Sequence, residues 1–221
     1  MCGRYAAFRS VDEIRRLFAT VNPPVNYSPT WNMAPTRLAP VVRRHPGEGA
    51  RHLDLLAWGL VPHWATDPKK ERRPINARSE TVARLPVFRD AFARRRCIVP
   101  VDTYYEWQEV AGAKLPSAIA RADGAPLALA GLWEGWRGAD GEVLRTYAIL
   151  TTSACKALEY FHDRMPVVLE PDDWAVWLGE AEGAADDLLR SSEAGFRSWP
   201  VSSKVNNVRN DGPELLEEVA P

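Results

Sequence analysis

Short apolar segments, repeatedly interrupted by proline and glycine, most strongly constrain the fold of this chain. The 221 residues include 18 prolines and 14 glycines, and both residue types end or bend regular structure. The segments between them mostly have the β-rich or alternating character of strands. This pattern predicts an α+β fold with a curved, barrel-like and largely antiparallel β-sheet core and short flanking helices. A doubly wound sheet fits it less well.

The periodicity also assigns individual elements. Strands are predicted at residues 39–43, 52–60, 98–110, 127–136, 147–152 and 196–201. Helical spacing predicts helices at residues 87–96, 172–178 and 184–190. A further helix is expected after Ser10, because Ser10 and Glu13 form a capping-box pattern. Behind that cap, Ile14, Leu17 and Phe18 fall on one helix face.

Composition indicates one soluble domain spanning residues 1–221. A hydrophobic content of 46% with 26% charged residues is ordinary for a globular protein. No apolar run approaches the ~20 residues that a membrane helix needs. Arginines interrupt the N-terminal stretch where a signal peptide would have its apolar centre. We therefore expect a cytoplasmic monomer without a membrane partner.

The formal net charge of −1 hides an uneven distribution of charge. Residues 1–110 hold 18 Lys/Arg against 11 Asp/Glu, a balance of +7, whereas residues 111–221 hold 10 against 18, a balance of −8. A basic half is compatible with phosphate binding by a local surface. Runs such as Arg94-Arg95-Arg96 are, however, often solvated helix ends.

The three cysteines predict neither a disulfide framework nor a zinc site. Cys2, Cys97 and Cys155 contain no C-x-x-C pair and leave an odd number. We expect no metal and no other cofactor. Cys97 and Cys155 have apolar neighbours and are expected to be small core residues.

Cys2 has a different chemical character, because removal of the initiator Met1 would give it a thiol and a primary amine on neighbouring carbon atoms. The amine can condense with an aldehyde to a Schiff base, and the thiol can then close a five-membered thiazolidine. An α-amino group titrates near pKa ~7.7 to 8.0 and a free cysteine near ~8.5, so both groups are usable near neutral pH. A cysteine can also follow the start codon by chance.

Three polar clusters interrupt apolar surroundings, at residues 75–80, 104–107 and 161–166. Glu106 lies in an aromatic strand, where burial favours a protonated carboxyl suited to acid/base work. An ion pair with an arginine explains a carboxylate at this position equally well. His162 can shuttle a proton near neutral pH, although a lone histidine at a strand entry is often structural.

The remaining polar candidates also have two interpretations each. The amide of Asn76 can fix a reactive group or cap a turn. Arg78 and Arg164 offer forked donors for phosphate oxygens. The alternative for each arginine is a salt bridge to Glu80 or Asp163.

Together these motifs resemble the SOS response-associated peptidase (SRAP) family over essentially the whole chain. The shared motifs, in the family's order, are Met1-Cys2-Gly3-Arg4, Asn32-Met33-Ala34-Pro35, Trp58-Gly59-Leu60-Val61-Pro62, Asn76-Ala77-Arg78-Ser79-Glu80-Thr81, Phe88-Arg89, Tyr105-Glu106-Trp107, Ala130-Gly131-Leu132-Trp133, Thr151-Thr152, His162-Asp163-Arg164-Met165-Pro166, Val205-Asn206-Asn207-Val208 and Asn210-Asp211-Gly212. One departure is Asp102-Thr103, where family members commonly carry Asp-Gly. Since threonine resists the positive φ that glycine permits, the backbone of this turn is expected to differ.

The resemblance implies a DNA damage response protein that binds single-stranded DNA and captures abasic sites in a covalent DNA-protein crosslink. Its activity would be lyase-like, with autocatalytic removal of Met1, and DNA binding would place it on the nucleoid. The amine and thiol of Cys2 would form a thiazolidine with C1′ of the opened deoxyribose. Glu106 would assist ring opening and proton transfers, His162 would contact the sugar oxygen, and Asn76 would position the adduct.

The resemblance also implies a set of DNA contacts. The residues expected near phosphates or the lesion are Arg4, Arg78, Arg164 and Thr151. Trp107 would form part of an apolar wedge between bases, with stacking of ~1 to 3 kcal/mol per base. Leu85 is a second candidate for the wedge, and Trp64 is a candidate for a DNA-facing side chain.

Two other functions compete with this interpretation. Amidohydrolases with an N-terminal nucleophile also open with Met-Cys-Gly, and there the amine serves as base for its own thiol. An amidohydrolase or a peptidase would explain Cys2, but neither function would use the other motifs. A noncovalent module for modified or single-stranded DNA would need the arginines and Trp107 but not the Cys2 thiol.

Overall fold

The computed structural model describes residues 2–110, 112–192 and 195–220. Within these residues the strands are β1 (Tyr5–Ala7), β2 (Thr30–Met33), β3 (Leu38–Arg44), β4 (Arg51–Trp58), β5 (Asn76–Arg78), β6 (Arg96–Val101), β7 (Thr103–Val110), β8 (Ala113–Arg121), β9 (Leu127–Arg137), β10 (Val143–Ser153), β11 (Arg164–Pro166), β12 (Val168–Leu169) and β13 (Phe196–Pro200). The α-helices are α1 (Val11–Phe18), α2 (Pro86–Arg94) and α3 (Trp174–Leu178). Single 3₁₀ turns lie at Pro171–Asp173, Ala185–Leu188, Ser203–Asn206 and Pro213–Leu216.

Five of these strands close into a barrel. Antiparallel pairs join β4 to β3, β3 to β6, β6 to β9 and β9 to β10. A parallel pairing of β10 with β4, in which Tyr147 lies opposite Trp58, completes the ring. The predicted curved, barrel-like and largely antiparallel sheet with short helices is confirmed, and closure of the ring removes its exposed edges.

A second, five-stranded antiparallel sheet in the order β13-β8-β7-β1-β2 accompanies the barrel. Its inward side chains, including Tyr5, Met33 and Tyr104, share one buried cluster with Val41 and Leu56 of the barrel. The core therefore fills both the barrel and the space beside this sheet. This packing brings β1, the strand that follows Cys2, against the barrel wall.

Several predicted elements differ in their bounds. The predicted strand at residues 98–110 is two strands separated at Asp102, whose carboxylate accepts hydrogen bonds from the backbone N–H groups of Phe8 and Arg9 at 2.7 and 3.1 Å. The predicted helix at residues 184–190 is only a 3₁₀ turn. The predicted helix at residues 87–96 ends at Arg94, because Arg96 already begins β6.

Helix α1 begins with the predicted capping box, in which Ser10 and Glu13 each bond the other's backbone. Ile14 and Phe18 are buried, but Leu17 is 42% exposed. Leu17 lies at the exposed edge of the shared face, because an eight-residue helix on the surface buries only a narrow stripe.

All three cysteines are free thiols, with Cys97 buried and Cys155 only half-buried. Within the described part of the chain, every helix is too short or too polar to span a bilayer.

Candidate active site

The N-terminal segment is held between two parts of the fold. Tyr5 in β1 pairs with Tyr104 of β7, and the backbone N–H of Tyr105 donates to the carbonyl of Arg4 at 3.0 Å. Cys2 precedes this strand and is completely buried. Its carbonyl accepts a hydrogen bond from Asn76 Nδ2 at 2.9 Å. The sequence candidates Cys2 and Asn76 therefore meet in the structure.

Asn76 is placed by a short strand beside β10. It opens β5, which runs parallel to β10 with Asn76 opposite Ile149. The preceding carbonyl of Ile75 accepts from Trp58 Nε1 at 2.9 Å and from the backbone N–H of Ile149 at 3.0 Å. Asn76 Oδ1 is buried and has no hydrogen-bond partner among the described residues. The amide is thus fixed on one side and has a free acceptor on the other.

Glu106 shapes the electrostatics around the Cys2 thiol. It lies in β7 between Tyr105 and Trp107 and is 5% exposed. Burial, followed by the negative charge of Glu106, raises the pKa of the Cys2 thiol far above its usual value, and a hydrogen bond from the Arg4 backbone offsets part of this. The thiol is therefore protonated at neutral pH and needs a proton acceptor to become a nucleophile.

His162 lies in the loop before β11, which pairs with the Thr151–Ser153 end of β10. Its Nδ1 is 3.0 Å from the backbone nitrogen of Arg164 and 2.5 Å from Asp163 Oδ1. This nitrogen faces its own loop, so Nε2 is the ring nitrogen left for a substrate. Because β5 and β11 both pair with this half of β10, Asn76 at the start of β5 and the loop of His162 before β11 are both placed by β10.

Arg164 forms the salt bridge that the sequence left as an alternative. Its side chain is only 9% exposed and is paired with Glu80. Nη2 also donates to the Thr151 carbonyl at 2.5 Å, and hydrogen bonds from Arg164 lower the pKa of Glu80. Thr151 is completely buried. The structure therefore supports a structural role for Arg164 and gives Thr151 no surface at which DNA could bind.

Arg4 and Trp107 form a second, partly buried group. Arg4 Nη1 donates to Asn32 Oδ1 at 2.7 Å and to the Val205 carbonyl at 2.8 Å, and burial lowers the pKa of Arg4. The guanidinium lies 6.0 Å from the centre of the Trp107 ring. Trp107 Nε1 donates to Asn206 Oδ1 at 2.7 Å, which fixes the orientation of the indole.

Three candidates are exposed. Arg78 is exposed, and its guanidinium makes no ion pair or hydrogen bond within the described ranges. Leu85 caps the start of α2 with 42% of its surface exposed, and Trp64 is 52% exposed. These side chains can meet a ligand without rearrangement of the core.

Comparison with known proteins identifies the family. The profile described as SOS response associated peptidase (SRAP) matches residues 1–208. The chain belongs to the SRAP family. Among SRAP relatives, "Abasic site processing protein YoqW" of Bacillus subtilis is 37% identical over 224 residues, covering 98% of this chain and 99% of the relative. "Abasic site processing protein HMCES" of Xenopus tropicalis is 28% identical and covers 99% and 78% of the two chains.

Crystal structures of similar proteins show the same SRAP fold. A Bordetella bronchiseptica protein is 31% identical with a TM-score of 0.77, and the match covers 91% of this chain and 100% of that one. A Bacteroides thetaiotaomicron protein shares the fold with a TM-score of 0.88 at 20% identity, covering 99% and 100%.

The departure from the SRAP pattern at Asp102-Thr103 does not require a strained turn. The residues other than glycine with positive φ in the described ranges are Ala19 and Thr36, so Thr103 has an ordinary backbone. The N–H of Asp102 donates to the Ala6 carbonyl at 2.9 Å. The Asp102 carboxylate accepts hydrogen bonds from the backbone N–H groups of Phe8 and Arg9 in the loop after β1, and these bonds fix the turn without glycine.

Sequence reasoning missed the segment after β13 that contacts Arg4 and Trp107. Asn32 Nδ2 donates to the carbonyls of Asn207 and Asn210 at 3.1 and 2.8 Å. This buried amide holds the segment that contacts Arg4 and Trp107. The motifs around residues 32 and 205–212 were recognised, but only as marks of resemblance. Buried amides within them were the signal that could have assigned them this role.

Proposed function

We propose that this protein processes abasic sites in single-stranded DNA by covalent capture on Cys2. The observation that carries the proposal is the burial of Cys2 with its carbonyl held by Asn76 at 2.9 Å and its thiol in the field of Glu106. An opened abasic deoxyribose presents an aldehyde at C1′, the electrophile that an amine and a neighbouring thiol capture together. The names of the SRAP relatives agree with this substrate.

The chemistry proceeds in two balanced steps once Met1 has been removed. The Cys2 amine attacks the aldehyde carbon, and loss of one water gives a Schiff base. The thiol sulfur then adds to the same carbon while its proton passes to the nitrogen, which closes the thiazolidine. Glu106 accepts the thiol proton and returns it to nitrogen. The free acceptor of Asn76 orients the amine.

Removal of Met1 is the step that creates the reactive amine. Met1 itself lies outside the described residues. We propose that the protein removes Met1 autocatalytically, with the Cys2 thiol as nucleophile and water as the final acceptor of the methionine. This cleavage is a single maturation event and does not make the protein a general protease.

The surrounding residues divide into DNA contacts and supports. Arg78 is the exposed cation for a backbone phosphate, and Trp107 with Leu85 forms the wedge between bases. Trp64, which is 52% exposed, is assigned as a further DNA-facing side chain. His162 donates from Nε2 to the sugar oxygen.

Arg4 and Arg164 differ from Arg78 because internal hydrogen bonds already occupy them. We assign them mainly to support of the site, Arg4 beneath Trp107 and Arg164 beside the buried Thr151.

A denaturing gel with single-stranded DNA containing one abasic site tests the proposal. Wild-type protein is expected to give a shifted band that survives heating, and Cys2→Ala should give none. Cys2→Ser keeps the amine but loses the thiol, so its adduct should survive only after borohydride reduction of the Schiff base. Cys155→Ser is the matched control and should crosslink normally.

The same gel separates the competing functions. An equal band from wild type and Cys2→Ala would refute capture by Cys2. A noncovalent binding module predicts no heat-stable band from any variant, with unchanged DNA affinity for Cys2→Ala.

A further inference from the structure

A cavity lies away from Cys2, at the other end of strand β10. Arg145, which lines this cavity, precedes Thr151 by six residues, about 20 Å along a strand. The cavity has a volume of about 400 Å³. Strands β3, β9 and β10, the loops after β3 and β4 and the end of α2 form its walls. Its charged and ionisable lining residues are Arg43, His45, His63, Arg95, Glu134, Arg137 and Arg145.

Two of the arginines are fixed by ion pairs with carboxylates, of which Glu134 is buried and Asp54 is half-buried. Arg95 Nη2 bonds Glu134 Oε1 at 2.6 Å, and Glu134 is only 2% exposed. Arg43 Nε lies 2.7 Å from Asp54 Oδ2, and its guanidinium stacks 4.5 Å from the centre of the Trp133 ring. These two guanidinium groups are rigidly placed at the inner wall of the cavity.

The two outer arginines have no such partner. Arg137 in β9 lies opposite Val143 in β10, which puts Arg145 two residues further along the same face. Both side chains are exposed, and neither makes an ion pair or hydrogen bond with another described residue. Burial lowers the pKa of Arg43, the charge of Asp54 partly offsets this, and the positive charge of Arg145 lowers the pKa further.

The balance of charge in the cavity is therefore positive. Four arginines line one space, and the ion pairs of the described residues join carboxylates only to Arg95 and Arg43. Like charges on neighbouring strand positions are unfavourable unless a counter-charge joins them. Gly135 leaves the floor of the cavity open, since a Cβ there would meet only the Trp133 ring, at 3.8 Å.

We propose that this cavity binds a phosphate group of a nucleic acid backbone or of a free phosphate compound, with Arg137 and Arg145 as its principal ligands. Planar guanidinium forks match the several oxygens of a phosphate better than a single carboxylate. The site does not depend on Cys2 or on the capture chemistry.

Titration calorimetry with inorganic pyrophosphate tests the site. Wild-type protein is expected to bind pyrophosphate saturably, and Arg145→Ala or Arg137→Ala should weaken binding about tenfold or more. Arg16→Ala removes the same charge from an exposed position of α1 outside the cavity and should leave binding unchanged. Undetectable binding by the wild type, or equal binding by Arg145→Ala, would overturn the proposal.

Gly135→Leu provides a test that leaves the charge unchanged. Its side chain should fill the cavity and weaken pyrophosphate binding, and unaltered binding would contradict this location.

Competition then identifies the phosphate source. Displacement of pyrophosphate by single-stranded DNA without an abasic site assigns the cavity to a nucleic acid backbone, and failure to displace it assigns the cavity to a free phosphate compound.

The two proposals fail separately. Arg145→Ala should still crosslink a short abasic oligonucleotide at the wild-type rate, because the cavity lies outside the Cys2 site. Cys2→Ala should bind pyrophosphate like wild type.

Discussion

At the scale of single residues, the protein keeps its proposed nucleophile buried and protonated. Burial and the charge of Glu106 both raise the pKa of the Cys2 thiol. A thiol in this state is protected from unspecific reaction but needs a neighbouring base at the moment of capture. The negative charge of Glu106 acts on this thiol. Substitution of Glu106 should therefore affect the chemistry of capture more than the binding of DNA.

Glu106→Gln tests this division of roles. The substitution keeps the shape of the side chain but removes the proton acceptor, and we expect crosslinking to slow by about a hundredfold or more. Loss of the negative charge also lowers the pKa of the Cys2 thiol, so the pH profile of the residual reaction should move to lower pH. Single-turnover time courses measure both effects. Loss of DNA affinity, measured by fluorescence anisotropy, would instead show that Glu106 is structural.

Arg78→Ala tests the exposed phosphate contact. Since Arg78 has no partner among the described residues, its loss should weaken DNA binding and leave stability unchanged. The slope of log affinity against log salt should become shallower by about 0.7, because one fewer counterion is released from single-stranded DNA. Anisotropy titrations at several salt concentrations measure this slope. An unchanged slope would exclude Arg78 from the contacts.

At the scale of elements, the site depends on strands that are too short to show a period. β1, β5 and β11 have three residues each, and no alternation can be recognised over three positions. Strands β3, β4, β9 and β10 are longer. Their sequences are rich in β-forming residues over many positions, so these strands could be predicted. The site residues were found through motif chemistry and resemblance, whereas their juxtaposition follows from the pairing of β5 and β11 with β10.

Arg164→Ala tests the connection among these short strands. Arg164 joins β11 to the Thr151 carbonyl and to Glu80, and removal of hydrogen bonds to a charged group should lower the free energy of unfolding by about 1 to 3 kcal/mol. Because the pKa of Glu80 is lowered by Arg164, the pair stabilises the fold above the unfolded pKa of Glu80. This contribution is lost as pH falls through the folded pKa.

Chemical denaturation of wild type and Arg164→Ala at neutral and acidic pH measures the difference. We expect it to shrink in acid, and Arg78→Ala is the matched control without an ion pair. If Arg164→Ala had wild-type stability and a shallower slope of log affinity against log salt, Arg164 would instead be a DNA contact.

At the scale of the whole molecule, the two halves of the sequence are interleaved. Ion pairs such as Arg37–Asp211, Arg51–Glu180 and Arg95–Glu134 join basic residues of the first half to acidic residues of the second. The charge asymmetry of the sequence therefore does not create a basic lobe. The sequence predicts a curved, barrel-like sheet but not the pairing that closes it. That parallel pairing, of Ala57 with Thr146, joins distant parts of the chain.

Interleaving predicts cooperative unfolding of residues 1–221. The barrel contains strands from both halves, so neither half can keep its sheet without the other. Scanning calorimetry should show one transition with equal calorimetric and van't Hoff enthalpies. Two separate transitions would contradict a single domain.

Intact mass spectrometry of the unreduced crosslink tests capture by Cys2 most directly. We predict a mass equal to the chain without Met1 plus the abasic oligonucleotide minus one water, with the Cys2 thiol no longer open to alkylation after denaturation. A crosslink that retains Met1, or one whose Cys2 thiol still reacts with iodoacetamide, would contradict the thiazolidine.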